Sequence, residues 1–243
     1  MNVDHHLMSG VFEPIMKSRK SYQRVYVDLP GMGESTWEEG RFEDAYLVEV
    51  LLEFVKKIFK GKQFIIAGES YGGHLSRCII ERISSQIIGA IFLCPCIVEE
   101  KNMPQRQRMV MDESFWEGLG QAEQQEYDFC AAIYNNEVYE RFKRDIKPYM
   151  PLANQQFLSK LSSTLHCDLG KKYDFPVVFI EARQDNFVGY EAAFALLKCF
   201  PHACYAVIDC AGHNLQIERV MIFEAMVKEF LQRFEHRESE QDI

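Results

Sequence analysis

The chain has 243 residues, of which 47% are apolar and 26% are charged, a composition typical of a globular protein with one full hydrophobic core. Its net charge of −9 disfavours binding to nucleic acid and docking through a basic membrane face, and no apolar run reaches the about 18 residues of a membrane span. The eight scattered cysteines, and an N-terminus without a signal-peptide pattern, favour a cytoplasmic protein with free thiols.

Apolar runs rich in β-branched and aromatic residues alternate with helical patterns along most of the chain. Five runs are predicted strands, at residues 24–29, 63–68, 87–93, 176–180 and 205–208. Most are continuous rather than alternating, which is typical of parallel strands covered on both faces. Apolar residues at steps of three and four predict helices, at residues 42–58, 190–199 and 218–234. This alternation predicts an α/β fold with a mainly parallel sheet of about five strands flanked by helices.

Residues 101–163 interrupt this alternation. The segment contains helical patches rich in aromatic residues and Met, and no strand is predicted within it. We expect a helical insertion over the mouth of the sheet, although extra packing helices would leave the same pattern. An aromatic insertion at that place favours a largely apolar substrate.

A short motif follows the second predicted strand. Residues 64–73 join an apolar run directly to Gly-x-Ser-x-Gly, centred on Ser70, and a helix-compatible segment comes next. This context is typical of a nucleophile elbow, a strained strand-to-helix turn that exposes a serine hydroxyl above the sheet. Side chains at Gly68 and Gly72 are expected to collide with the neighbouring strand and helix, which explains the glycines. Ser70 is therefore the candidate nucleophile.

A serine hydroxyl needs a base to remove its proton and a third group to orient that base. Asp185 follows the predicted strand 176–180 and His213 follows the last one, so both are expected at the same end of the sheet as Ser70. Their order along the chain is the Ser, Asp, His order of one known triad. Two alternatives stay open: Asp185 could instead cap the next helix, and Asp209 is a rival acid four residues before His213.

A further turn motif makes a family resemblance visible. Residues 28–35 read Asp-Leu-Pro-Gly-Met-Gly-Glu-Ser, which is similar to the Asp-x-Pro-Gly-x-Gly-x-Ser turn of α/β-hydrolase fold proteins. The run lacks the ending and the spacing of a phosphate-binding glycine loop. With the elbow and the order of the three candidate residues, the chain resembles a serine hydrolase of that family with a helical cap. The resemblance implies a core of residues 1–100 and 164–243 and a cap at 101–163.

The resemblance also implies a role for each candidate residue. Ser70 Oγ attacks an acyl carbon, and His213 takes its proton and returns it to the leaving group. Asp185 orients the imidazole, and the backbone N–H of Tyr71 donates to the oxyanion. A serine at the elbow disfavours the dehalogenase and epoxide-hydrolase branches, which use an aspartate there.

The chain departs from the family pattern at its N-terminus. The family normally begins with further strands, the last of which ends in a His-Gly-type loop that supplies a second oxyanion donor, and residues 3–8 resemble the stretch after that loop. We expect segment 24–29 to pair directly with strand 63–68, with a partner chain in the gap as the alternative. Loss of one oxyanion donor typically costs about 3–4 kcal/mol of transition-state stabilisation.

These observations predict a serine hydrolase that cleaves a small ester, thioester or related small-molecule acyl substrate through an acyl-enzyme. The alternative is a catalytically weak or inactive hydrolase-fold protein that works by binding a ligand or another protein, since the second oxyanion donor is missing. No cofactor and no metal are expected, because Cys94-Pro95-Cys96 has no second cysteine pair at metal-binding spacing. The oligomeric state is left open, a homodimer included.

Overall fold

The computed structural model describes residues 3–97, 105, 107–166, 168 and 170–241. Residues 101–104 of the predicted cap and Cys167 lie outside the described residues. All the candidate residues for nucleophile, base, acid and oxyanion donor lie inside them.

The strands of the described chain form two sheets. They are β1 (Phe64–Glu69), β2 (Ile87–Leu93), β3 (Met109–Val110), β4 (Ile133–Tyr134), β5 (Val177–Ala182) and β6 (Ala203–Ile208). The larger sheet has the order β1-β2-β5-β6, and every neighbouring pair in it is parallel. These strands correspond to four of the five predicted ones, and the α/β fold with a parallel sheet is confirmed.

Segment 24–29, the fifth predicted strand, is not a strand in the structure. Among the described residues β1 pairs only with β2, so the expected pairing of this segment with β1 is wrong. Its side chains instead hold it against helix α1 (His6–Met16): the Tyr26 hydroxyl donates to Glu13 Oε1 at 2.8 Å, and Arg24 Nη2 donates to Glu13 Oε2 at 3.0 Å. The apolar run alone therefore did not indicate which element would hold this segment in place.

Helices cover both faces of the larger sheet. After α1 they are α2 (Asp44–Phe59), α3 (Tyr71–Ile83), α4 (Gln121–Asp128), α5 (Asn136–Asp145), α6 (Gln155–Lys160), α7 (Glu191–Phe194), α8 (Leu215–Glu218) and α9 (Val220–Gln241). On one face, Phe12 of α1 and Phe223 of α9 pack in a cluster with Ile91. On the other, α7 covers Phe92 and Phe179, and α2 packs on α3. None of the described helices is both long and apolar enough to cross a membrane.

The predicted cap contains an apolar cluster, which Ile217 of α8 also joins. Five of its buried aromatic side chains belong to this cluster, namely Phe115, Tyr127, Tyr134, Tyr139 and Phe142. Most of the aromatic residues that suggested a substrate pocket are therefore used in the internal packing of this region. The expectation that it contains no strand is wrong, because β3 and β4 form a short parallel pair. Strands of two residues are too short to show a periodicity in the sequence.

The last residues of the predicted cap contact the elements around the sheet. Phe157 of α6 is fully buried in the cluster that α2 and α3 form. The backbone N–H of Asn154 donates to the carbonyl of Gly31 at 2.8 Å, and that of Ser162 donates to Phe42 at 2.7 Å. The cap boundaries of 101 and 163 stay a prediction.

Candidate active site

Ser70 lies in a sharp turn between β1 and α3. Its backbone has φ 52° and ψ −119°, a conformation that residues with a Cβ rarely adopt. The turn is held from the side of β2, because the Ser70 N–H donates to the Leu93 carbonyl at 3.0 Å and the Cys96 N–H donates to the Ser70 carbonyl at 2.8 Å. The local geometry is that of the strained strand-to-helix turn predicted from residues 64–73.

The glycines of the elbow differ in what they allow. A Cβ at Gly68 would lie 2.4 Å from the carbonyl oxygen of Gly72, so a side chain cannot be placed there without movement. A Cβ at Gly72 would meet no atom within 4 Å, and the expected collision at that position is wrong. The crowded position is Gly73, where a Cβ would lie 2.6 Å from the Pro95 Cβ. The turn therefore needs Gly68 and Gly73 for close packing.

Asp185 and His213 meet directly in the structure. Asp185 Oδ2 lies 2.7 Å from His213 Nδ1, and both residues are buried. The other oxygen, Asp185 Oδ1, accepts the backbone N–H groups of Phe187 at 2.8 Å and Val188 at 3.1 Å. Because Nδ1 faces a carboxylate, it carries the ring proton in the neutral imidazole, and Nε2 is left as the basic atom.

The rival acid does not contact the imidazole. Asp209 lies at the surface and accepts a hydrogen bond from Gln184 Nε2 at 2.8 Å. The structure thus brings Asp185, and not Asp209, to His213. Asp185 also resembles the alternative in which it caps a helix. Its Oδ1 accepts two backbone N–H groups and so stabilises the turn that precedes α7.

The imidazole of His213 is buried beside two acidic groups. Burial lowers its pKa, but the charge of Asp185, its hydrogen bond and the charge of Glu69 raise it, and the net effect is a raised pKa. A base with a raised pKa holds a proton firmly once it has taken one. It is therefore suited to keep the proton of an attacking hydroxyl until a leaving group needs it.

The three candidate residues lie at one edge of the sheet, at the carboxyl ends of β1, β5 and β6. No hydrogen bond joins Ser70 Oγ to His213 in the described structure, but the pair need not be closed without a substrate. Of the four non-glycine residues with positive φ in the described chain, three lie just after strands at this edge, at Ser70, Cys94 and Cys210. Such conformations cluster at functional sites.

Two groups of side chains in the described chain have ligand atoms close enough to share a metal ion. One is Cys94 with Asp185 and His213, whose ligand atoms lie within 4.8 Å of one another. Burial raises the pKa of the Cys94 thiol well above its ordinary value, and the other two members, Asp185 and His213, already hydrogen-bond to each other.

The other group is Asp4, His5 and His6. Here His5 Nδ1 lies 2.8 Å from Asp28 Oδ1, and His6 Nδ1 lies 3.0 Å from Asp4. Their side chains are thus already engaged in hydrogen bonds that fix the N-terminal end of α1.

The Tyr71 backbone N–H stands where the resemblance places an oxyanion donor. Tyr71 is the first residue of α3, and its N–H donates to no carbonyl or side chain of the described residues. The first N–H groups of a helix have no partner within the helix. This donor is therefore available to an oxygen atom close to Ser70.

Buried glutamates surround the site, and the sequence analysis did not select them. Glu69 precedes the nucleophile, and burial raises its pKa to about 7. Glu181 on β5 is fully buried without a hydrogen-bond partner, and burial raises its pKa well above the ordinary value. Glu218 accepts the backbone N–H groups of Ala132 and Gly212. A charged residue inside an apolar run is the sequence signal that could have found Glu181.

Two successive aromatic contacts lead from the imidazole to the surface of the predicted cap. The ring of Phe187 lies 5.0 Å from that of His213, and the ring of Phe129 lies 4.8 Å from that of Phe187. Phe129 follows α4 and is 56% exposed, unlike the aromatic residues of the cap core. The rings of Phe187 and Phe129 thus form an apolar wall that runs from the imidazole of His213 to the solvent.

Comparison with known proteins agrees with this architecture. A family model described as alpha/beta hydrolase fold matches residues 6–220, whereas no curated protein matches the sequence. Among solved structures, an alpha/beta superfamily hydrolase from Oenococcus oeni is 25% identical with a TM-score of 0.84, covering 96% of this chain and 89% of that one. A bromoperoxidase from Bacillus anthracis is 18% identical with a TM-score of 0.70, covering 95% of this chain and 88% of that one. The esterase RhEst1 from Rhodococcus sp. is 16% identical with a TM-score of 0.67, covering 90% and 84%.

Proposed function

Because this chain belongs to the α/β-hydrolase fold family, we propose that it is a serine hydrolase that cleaves a small ester, thioester or related acyl compound. The observation that carries the proposal is the 2.7 Å contact between Asp185 and His213 at the edge of the sheet where Ser70 sits in a strained turn. Hydrolase-named proteins with the same fold support the reaction class.

The proposed reaction proceeds through an acyl-enzyme. His213 Nε2 takes the proton of Ser70 Oγ as this oxygen attacks the acyl carbon, and the imidazolium then protonates the leaving group. Water, activated by the same base, attacks the acyl-enzyme and releases the acid. Asp185 keeps Nδ1 protonated and stabilises the imidazolium, which is what its short contact with that atom supports.

The negative charge that develops on the acyl oxygen needs hydrogen-bond donors. The Tyr71 N–H is one donor, since it adjoins Ser70 and is not used by another described residue. Removing one donor from such a site typically lowers kcat by about a hundredfold to a thousandfold.

The substrate class follows from the aromatic wall rather than from the composition of the cap. Phe187 lies against the imidazole and Phe129 extends the wall to solvent, so an apolar acyl or leaving group can pack against both rings. Phe129→Ala should lower kcat/KM about tenfold for an aromatic or long-chain ester and leave that for an acetate ester nearly unchanged. Phe194→Ala, which removes a similarly exposed ring on α7, is the matched control.

The deciding experiment is covalent labelling of the nucleophile. A fluorophosphonate should label the wild-type protein on Ser70, and p-nitrophenyl esters of increasing chain length should be hydrolysed. Ser70→Ala should abolish both, whereas Ser84→Ala, an exposed serine at the other end of the same helix, should change neither. Ester turnover that survives Ser70→Ala would remove Ser70 from its role. A wild-type protein that is neither labelled nor active would favour a binding function instead.

A further inference from the structure

The residues next to Ser70 and close to His213 are joined in the interior of the protein. Glu69, at the end of β1, immediately precedes Ser70, and Gln216, on α8, follows His213 by three positions. Gln216 Nε2 lies 3.1 Å from Glu69 Oε1 and 3.0 Å from Glu69 Oε2, and both side chains are buried. This contact connects segments that are 147 positions apart in the sequence.

Burying these two polar side chains costs free energy, and apolar side chains could fill the same space. A buried carboxyl loses its hydration, and two apolar side chains of similar size would fill the same space without that loss. In the described structure Gln216 Nε2 is the donor to Glu69, while Gln216 Oε1 has no partner. The pair therefore keeps an incompletely satisfied polar contact at this one position.

The position of the pair matters because the spacing between nucleophile and base depends on it. The contact with Asp185 orients the imidazole, but it does not determine the distance between His213 and β1. We propose that Glu69 and Gln216 are a positioning pair, whose hydrogen bond holds the segment carrying His213 at the distance from β1 at which its Nε2 can reach the Ser70 hydroxyl once a substrate is bound. The proposal rests on the proposed function, since it assigns that distance a catalytic purpose.

A positioning role differs from a purely electrostatic one in what it changes. Among the described side chains, the charged groups that act on Glu69 include His213 and Asp185, and the thiol of Cys94 is close enough to be affected by Glu69. A negative charge on Glu69 stabilises protonated His213, so its removal shifts the pH profile to lower pH. Loss of the hydrogen bond changes the distance between Ser70 and His213 instead, and lowers the limiting rate at every pH.

Exchange of the two side chains separates these effects. Gln216→Glu places two carboxyl groups face to face. At the high-pH end of the profile, where both are ionised, they repel each other and the contact breaks, and a misplacement of about 1 Å then lowers the rate of fluorophosphonate labelling about a hundredfold. Adding Glu69→Gln restores a carboxyl–amide hydrogen bond with the partners reversed. We expect the double variant to recover to within about tenfold of the wild-type limiting rate. Glu69→Gln alone keeps an amide that can accept from Gln216, so it should shift the pH profile and largely preserve the limiting rate.

Several outcomes decide the matter. A double variant as slow as Gln216→Glu, or a Gln216→Glu variant with the wild-type rate, would overturn the proposal. Glu224→Gln, which changes a carboxyl paired with Lys228 on α9 and away from the site, should leave the rate unchanged. Thermal unfolding of each variant shows whether it is folded at the assay temperature. If the wild-type protein is not labelled on Ser70 at all, the proposed function fails; if it is labelled but Gln216→Glu is labelled at the wild-type rate, only the positioning pair fails.

Discussion

The carboxylate of Glu218 on α8 accepts the backbone N–H of Ala132 at 2.7 Å and so joins the helix after His213 to the segment that precedes β4. The same carboxylate accepts the N–H of Ile133 at 3.1 Å and that of Gly212, the neighbour of His213. The buried side chain of Glu218 thus holds both the loop that carries His213 and the first residues of β4. The position of β4 and that of the loop carrying the imidazole are therefore linked through this carboxylate.

Glu218→Gln should destabilise the protein, because the amide nitrogen faces a backbone N–H that then has no acceptor. A buried polar group left without a partner costs about 1–3 kcal/mol, which urea unfolding followed by fluorescence would measure. Glu224→Gln is the control, since Glu224 pairs with Lys228 at the surface of α9 and its loss should change the free energy of unfolding by less than about 0.5 kcal/mol. Equal effects of the two substitutions would contradict the bridging role of Glu218.

Asp185→Asn should lower kcat about a thousandfold or more, because an amide can hold the imidazole in the wrong tautomer and cannot stabilise its charge. Asp209→Asn changes the rival acid, which binds Gln184 at the surface, and should leave kcat within about threefold of the wild type. The comparison uses p-nitrophenyl ester hydrolysis at saturating substrate. A larger loss for Asp209→Asn than for Asp185→Asn would reverse the assignment of the acid.

The rate of acylation should rise with pH, because His213 must be neutral to take the serine proton. Asp185 and Glu69 hold the pKa of His213 above its ordinary value, so the midpoint should lie above the about 6.5 of a free histidine. The measurement is the rate of fluorophosphonate labelling of Ser70 between about pH 5 and pH 9. A midpoint well below 6.5 would mean that burial dominates over the two acidic neighbours.

Glu181→Met should stabilise the protein at neutral pH, because the carboxyl is buried without a partner. Burial raises the folded-state pKa of Glu181. Below the pKa that this carboxyl has in the unfolded chain, Glu181 is protonated in both states and its charge costs no stability. As pH rises from there toward the folded-state pKa, the free energy of unfolding falls. The gain in free energy of unfolding should be about 1–3 kcal/mol near pH 7 and smaller near pH 4. A gain that is independent of pH would show that packing, and not the charge, is responsible.

Gly73→Ala should be more harmful than Gly72→Ala, although both glycines belong to the elbow. The new methyl group at residue 73 meets Pro95, and overpacking of this kind costs about 1–3 kcal/mol, whereas residue 72 has open space for it. Thermal unfolding and labelling of Ser70 should both distinguish the two variants. Wild-type behaviour of Gly73→Ala would show that the loop containing Pro95 can move away.

The sequence predicted the features that depend on local pattern. The elbow around Ser70, four strands of the sheet and the pairing of Asp185 with His213 follow from motifs, chain order and strand ends. The strand at 24–29 was wrong because an apolar run does not reveal whether a neighbour offers hydrogen bonds. The crowding at Gly73 instead of Gly72 depends on Pro95, which the motif does not include.

Contacts between residues far apart in the sequence could not be predicted from local patterns. Gln216 binds Glu69 across 147 positions, and Glu218 binds Ala132 across 86. Only the folded chain brings these residues together, and a glutamate or glutamine has no pattern that indicates its partner. Likewise, the aromatic residues of the cap could not be divided into core and surface before the burial of each was known.

The strained turn at Ser70 places activity and resistance to unfolding in opposition. A residue with a Cβ held at φ 52° stores about 1–3 kcal/mol that the rest of the fold must offset. Glycine at this position would relax the backbone and remove the nucleophile in one step. Selection for heat resistance alone would therefore favour inactive proteins, and a library screened for thermostability needs an activity requirement to retain the serine.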